Sequence, residues 1–301
     1  MVFIKNYRGR ILSYLDHIKR CHSFSAENYV PFIVADEQMG WMQKSFVSHL
    51  LNWDSVFNQD QTGSVFINRD LATPEQRTKA CQPILQSLHE SGVIDSWVGE
   101  PYAVIHQFGE TPRLLIERAA VSFFGVRGFG VHLNGLVKKT SGTHIWIARR
   151  ARDKPFWPGM LDQMVAGGQP AGIGLMDNII KESAEEANIP ERLSKKAELV
   201  SELHYRGETH RGLHIDTLFN YDLWLPEDFV PENTDGEVEE FILMPLEEMA
   251  QITDNIHNTE EFKDNCNLVN IDLLIRHGLL SKAHPEYDEI KRKLYAPATL
   301  I

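Results

Sequence analysis

Three glutamates, Glu182, Glu185 and Glu186, lie at helical spacing (i, i+3, i+4) in a chain of 301 residues. On a helix turning about 100° per residue they fall on one narrow face, with Met176, Ile180, Ala184 and Ala187 on the opposite one. Like charges so placed repel by about a few tenths of a kcal/mol per pair, so the arrangement is unfavourable unless a cation fills it. Hard divalent ions such as Mg²⁺ take clustered oxygen ligands of this kind. An acidic helix face alone is ordinarily a solvated surface, but the segment Ala166-Gly167-Gly168-Gln169-Pro170-Ala171-Gly172-Ile173-Gly174 runs directly into this one. A glycine-rich loop lets backbone come close to a ligand, and a helix N-terminus turns N–H groups and dipole toward phosphate or a metal-bound anion.

The elements that must position these acids follow from the surrounding pattern. Gly174 is an acceptable N-cap, and Asn188 followed by Pro190 is a stop, which predicts a helix between them. Strand-like runs flank it at Val121 to Val137, His144 to Arg149, Leu199 to Tyr205, Thr217 to Leu225 and Glu239 to Met244, with a closing helical region. The turn-like Thr140-Ser141-Gly142 separates the first two runs. This is an α/β layout with a mixed sheet. The earlier part mixes a helix at Ile11 to Arg20, a strand at Val30 to Ala35, a helix at Lys44 to Trp53, and a helix from Thr73 to Ser91. In the last of these, Thr73 is the N-cap and Pro74 the first helical residue. The texture changes near residue 118, giving an expected accessory domain over 1–118 and a catalytic domain over 119–301.

The residues of the loop and helix resemble the Nudix box, G-x5-E-x7-R-E-U-x-E-E-x-G-U, where U is aliphatic. Gly167 matches the first Gly, Glu182 the Glu of R-E, and Glu185-Glu186 the E-E pair, with the spacing kept from Gly167 to Ile189. Ile173 stands where the pattern has its first Glu, Lys181 where it has Arg, Ser183 where it has an aliphatic residue, and Asn188 where it has the final Gly. In the family that Glu and Arg commonly pair between loop and helix, so the first two departures belong together.

The stretch Phe156 to Gly172 and the later Asp235 to Phe241 look like one Nudix branch in particular. It includes the unit fused ahead of thiamine pyrophosphokinase in fungi. The resemblance implies a Nudix α/β/α sandwich with a mixed sheet, preceded by a smaller α+β N-terminal domain. It also implies metal ligation by Glu182, Glu185, Glu186 and the Ala166 carbonyl, with Glu182 or Glu186 orienting or deprotonating water. Mg²⁺ is the expected ion, with Mn²⁺ as substitute. The implied substrate is thiamine diphosphate or its oxidised analogues, with nucleoside diphosphate derivatives and nucleotide sugars as alternatives. A Nudix fold used only to bind a ligand is the non-enzymatic alternative. A further acid often completes such sites, and Glu239 is the choice here, with Glu237 and Glu240 as rivals.

Arg149 and Arg150 end a strand-like run and are candidates for a substrate phosphate. His204, His210 and His214 include an i,i+4 pair, but with no nearby cysteine and a strand-like setting they are better polar pocket residues than zinc ligands. The glycines Gly125, Gly128 and Gly130 have reversed spacing for a dinucleotide fingerprint, and no G-x-x-x-x-G-K-[ST] occurs.

Lys and Arg total 30 against 42 acids, for a net charge of −12, which argues against wrapping a phosphate backbone. Three scattered cysteines, Cys21, Cys81 and Cys266, fit neither a disulfide framework nor a zinc cluster, and the cytosol is the expected compartment. No export signal or membrane span is expected from the hydropathy pattern. The expected partner is a small-molecule diphosphate, and the sequence leaves a homodimer open.

Overall fold

A computed structural model describes residues 13–154, 156–254 and 261–297. Its first element is α1 (Tyr14–Cys21); Ile11 and Leu12, which begin the expected helix, lie outside the described residues. There follow β1 (Tyr29–Val34), β2 (Glu37–Gln43), α2 (Lys44–Leu50), β3 (Phe57–Gln59), β4 (Val65–Ile67) and α3 (Pro74–Glu90). The four strands form one sheet in the order β2-β1-β4-β3, with β1 antiparallel to β2 and parallel to β4. Helix α3 starts as its sequence demands. Thr73 Oγ1 accepts from the Gln76 N–H at 3.2 Å, the Gln76 side chain accepts from the Thr73 N–H at 3.0 Å, and Pro74 sits where no partner for an N–H is needed.

Leu85 and Leu88 of α3 pack with Phe32, Phe57 and Phe124 in a first core drawn from Val30 to Val126. Helix α1 does not join it. Leu15 and Ile18 are buried instead against residues from the far end of the chain, among them Leu268 and Ile290.

Two short strands, β5 (Pro101–Ala103) and β6 (Leu115–Glu117), pair antiparallel and lead into α4 (Val121–Phe124). The sequence predicts extended chain from Val121, and here the structure differs. Val121, Phe123 and Phe124 bury into the first core as a single helical turn. Gly125 closes that turn at φ 54°, at a position where a Cβ would collide with the Trp41 carbonyl. A run rich in aromatic and β-branched residues suits a strand, but packing decides.

The strand proper is β7 (Arg127–Lys139), followed by β8 (Gly142–Arg150), β9 (Leu161–Gln163), β10 (Val165–Gly168) and α5 (Leu175–Ala187). The rest is α6 (Glu191–Ser194), β11 (Glu198–Thr209), β12 (Gly212–Leu225), β13 (Val238–Pro245), α7 (Leu246–Thr253), α8 (Asp264–Arg276) and α9 (Tyr287–Leu294). The large sheet runs β11-β12-β7-β8-β13, parallel only between β12 and β7, with β10 added to β7 and β9 to β8. Val131 and Leu133 of β7 pack in one core with Ile179 and Ala187 of α5, whereas Leu136 shares the other core with Leu268 and Leu273 of α8. The mixed sheet is therefore sandwiched between helical layers, as expected.

Candidate active site

The glycine-rich segment is a strand before it is a loop. Strand β10 lies antiparallel to β7 with Ala166 opposite His132, Gly167 opposite Val131 and Gly168 opposite Gly130. The Gln169 N–H donates to the Phe129 carbonyl at 2.9 Å, so alternate residues counting back, Gly167 included, face β7 with their polar groups. Ala166 and Gly168 face outward. Accordingly the Ala166 N–H donates to Glu186 Oε2 at 2.8 Å and the Gly168 carbonyl accepts from Asn178 Nδ2 at 2.8 Å. The Ala166 carbonyl points to the same side as its N–H, toward the acids of α5. Gly167 admits Glu182: a Cβ there would collide with the Glu182 side chain.

Helix α5 keeps its predicted ends, with Gly174 as an extended N-cap and Asn188 left-handed at φ 50°. Its faces differ from the sequence expectation. Ser183 and Glu186 are buried, Ala184 is exposed, and of the three acids only Glu185 turns mainly to solvent. Glu182 and Glu186 tilt inward onto the backbone of β10, Glu182 where Gly167 has no side chain and Glu186 on the Ala166 N–H.

Burial is the main reason Glu182 and Glu186 lie above the ordinary carboxylate range. At Glu182 the neighbouring Lys181 ammonium opposes that rise, and at Glu186 the Ala166 N–H does. Glu186 also feels the charges of Glu182, Asp162 and Glu237. A site whose buried carboxylates repel one another beside an outward-facing carbonyl fits a hard divalent cation.

Lys181, standing where the Nudix pattern has Arg, turns to the acids. Its Nζ lies 3.0 Å from Glu182 Oε1 and 2.9 Å from Glu185 Oε2. With Ile173 unable to pair, the loop is fixed by amides. Gln169 Nε2 donates to the Ile173 carbonyl at 2.7 Å, and Asn178 Nδ2 donates to Gln169 Oε1 at 3.1 Å.

The remaining candidates are distributed otherwise than predicted. Glu239 pairs with Arg152 at 3.0 Å, Glu240 with Arg149 at 2.6 Å and Glu237 with Lys154 at 2.6 Å, so each acid of that stretch has a cation partner. Arg149 also donates to the Gly159 carbonyl, and Arg150 donates to Asp162 Oδ2 at 2.9 Å and to the Phe156 carbonyl. Both arginines are thus committed to internal acceptors. His204 meets Thr217 Oγ1 at 3.0 Å, His214 meets Ser122 Oγ at 3.0 Å, and His210 lies near Asp95.

One buried group went unread in the sequence: His132, Asp162 and Cys266 converge, each a metal-type ligand. Two cations, Lys263 and Arg150, already hold Asp162 at 2.9 Å each, which leaves little attraction for a third. Also missed were Tyr102 and Arg118, which reach Gly168 from the segment ahead of β7. Only tertiary packing brings them there, so no local pattern could signal them.

Fold and site together define a three-layer α/β protein in which an acidic helix faces the open edge of a glycine-bearing strand. Residues 12–128 match the family described as "Domain of unknown function (DUF4743)". The chain is 37% identical over 295 residues to Nudix hydrolase 24, chloroplastic, of Arabidopsis thaliana, covering 97% of this chain and 80% of that protein. It is also 37% identical to Nudix hydrolase 20, chloroplastic, of the same plant, covering 94% of this chain and 78% of that one. The solved NUDIX domain of Shewanella oneidensis NrtR superposes with a TM-score of 0.39 at 13% identity, covering 52% of this chain and 90% of that one. The chain belongs to the Nudix hydrolase family, and it is an enzyme acting on phosphorus-containing anhydrides.

Proposed function

We propose that the enzyme is a Mg²⁺-dependent diphosphatase that splits an organic diphosphate into a monophosphate and inorganic phosphate. The observation that carries this is the pair Glu182, partly buried, and Glu186, buried, at the outward edge of β10, one admitted by Gly167 and the other hydrogen-bonded to the Ala166 N–H. Glu182, Glu185, Glu186 and the Ala166 carbonyl would hold the metal. Bound there, Mg²⁺ or Mn²⁺ supplies charge neutralisation on the phosphoryl oxygens and acidifies water. The chain's own contribution is to aim the water and take its proton. Glu186, buried and held at Oε2 by the Ala166 N–H, is the proposed base, and Glu182, lodged over Gly167, the orienting acceptor. Water adds its oxygen to one phosphorus, the bridging P–O bond breaks, and the bridging oxygen leaves with the other phosphate. Glu239 remains a proposed supporting acid with Glu237 beside it, each held by a cation, Glu239 by Arg152 and Glu237 by Lys154.

The substrate we propose is thiamine diphosphate or its oxidised analogues, supported by the similarity of the stretches Phe156 to Gly172 and Asp235 to Phe241 to the thiamine-associated branch. We also propose that residues 1–118 form an accessory unit to a catalytic unit of 119–301; the separate core around α3 supports two units, while it runs on to Val126 and α1 packs with the C-terminal helices. The cytosol is the proposed compartment; the three cysteines are buried and unpaired, as a reducing milieu allows.

The test is phosphate release across thiamine, nucleotide and sugar diphosphates with Mg²⁺ or Mn²⁺. Glu186→Gln should abolish release from whichever substrate turns over, with circular dichroism and melting temperature preserved. Unchanged turnover in that variant would sink the assigned site.

A further inference from the structure

We propose that Arg118, assisted by the Tyr102 hydroxyl, binds the phosphate of the substrate, so that the segment ahead of the large sheet completes the active site. This rests on the reading of β10 and α5 as the diphosphate site, and it gives that site the basic group that Arg149 and Arg150 do not supply.

Three observations converge on one spot. Gly168, at the open end of β10, has no Cβ; one built there would collide with the Tyr102 hydroxyl and lie 3.5 Å from the Arg118 guanidinium carbon. The guanidinium therefore sits beside the backbone from which the Ala166 carbonyl emerges, two residues upstream. Gly167 and Gly168 are successive residues of β10 and present opposite faces, so Glu182 over Gly167 and Arg118 over Gly168 flank the strand from its two sides along the same open edge.

Arg118 is positioned without being used up. Its Nη1 donates to Glu100 Oε2 at 3.0 Å and its guanidinium lies 6.0 Å from the Tyr102 ring centroid. Nε and Nη2 make no hydrogen bond among the described residues, and the side chain is 45% exposed. An arginine anchored by one nitrogen, with further donors open to solvent at the mouth of an acidic site, is built to receive a phosphate.

Tyr102 supplies an independent sign. The residue is only 6% exposed, yet its hydroxyl has no hydrogen-bond partner among the described residues. A buried, unsatisfied hydroxyl costs stability unless something else completes it. Its position against Gly168 places that missing partner at the active site. Both residues come from the β5-to-α4 segment, close to residue 118, where the texture of the sequence changes. The N-terminal segment is then part of the catalytic centre.

The experiment compares wild type with Arg118→Met, Arg118→Lys and Tyr102→Phe, using the best diphosphate substrate from the panel. KM is measured, together with binding of methylenediphosphonate in the presence of Mg²⁺ by calorimetry. Arg118→Met should raise KM and weaken methylenediphosphonate binding by roughly 10- to 100-fold. Arg118→Lys should recover part of that loss, which a purely structural role would not predict. Tyr102→Phe should weaken binding about 3- to 10-fold while leaving the melting temperature unchanged or higher, because it deletes an unpaired buried hydroxyl. If wild type turns over and binds the probe but Arg118→Met and Tyr102→Phe, both folded, bind as wild type does, the proposal is overturned and the site assignment stands. If wild type hydrolyses no diphosphate and does not bind the probe, the site assignment fails and this proposal fails with it.

Discussion

Single residues in this site are set against one another by charge. Lys181 Nζ bridges Glu182 and Glu185, and those carboxylates hold the ammonium above its usual range against the opposing effect of burial. In the family pattern the base at this position pairs with a loop acid, here replaced by Ile173, so the lysine turns back onto two proposed metal ligands. A tethered cation relieves repulsion in the metal-free protein and competes with an incoming ion. Lys181→Met should therefore lower the Mg²⁺ concentration for half-maximal activity by roughly two- to fivefold, the scale of a partly exposed ion pair. The same variant should melt earlier in EDTA and recover when Mg²⁺ is added. A rise in the Mg²⁺ requirement would mean that the lysine orients the carboxylates rather than occupying their field.

At the scale of elements, legibility followed from how local each determinant is. The ends of α5 and the cap of α3 were readable because Gly174, Asn188, Thr73 and Pro74 act within a few residues of themselves. Which face of α5 is buried was misread. The amphipathic pattern places Ala184 inside and Glu186 outside, but the uncovered backbone of β10 draws Glu186 in. The brief strand β10 was hidden for a related reason, since Ala166-Gly167-Gly168 has little strand propensity and is extended because β7 pairs with it. The stretch at Val121 failed in the opposite sense, where apolar residues that suit a strand coil into α4. Between β10 and α5 the turn is held by Asn178, fully buried, which joins the Gly168 carbonyl to Gln169. Asn178→Ala leaves both acceptors without that donor and should cost about 1–3 kcal/mol in a urea titration. Its activity should fall further than its stability, because Gly168 anchors the path of β10. A variant with normal kcat and lowered stability would show that the turn supports the fold but not the site.

The whole molecule is closed by contact between the two ends of the described chain. Helix α1 lies against α8 and α9, and His17 Nε2 meets the Thr253 carbonyl at the end of α7 at 2.8 Å. That contact requires the proton on Nε2, since the carbonyl can only accept, while the buried Nδ1 has no partner among the described residues. Adding a second proton would put a charge on Nδ1 where nothing receives it. Burial first, and then the nearby Arg20, lower the His17 pKa from 6.5 to about 4. The unfolded chain takes up this proton near pH 6.5, and the folded chain resists until about pH 4, so protons favour unfolding across that window. His17 leaves stability untouched above about pH 6.5 and withdraws up to roughly 3 kcal/mol as the pH falls toward 4. His132, also lowered to about 4 chiefly by burial, acts in the same direction beneath β10. Urea midpoints measured from pH 7.5 to 4 should therefore fall on acidification, and His17→Gln should flatten that fall by its own share while costing some stability at pH 7.5. If the slope in wild type and variant is the same, the neutral His17 contact is not what fastens α1 to the C-terminal helices, and the closure rests on its other contacts, buried Leu15 and Ile18 and the Arg20–Asp264 pair at 3.3 Å.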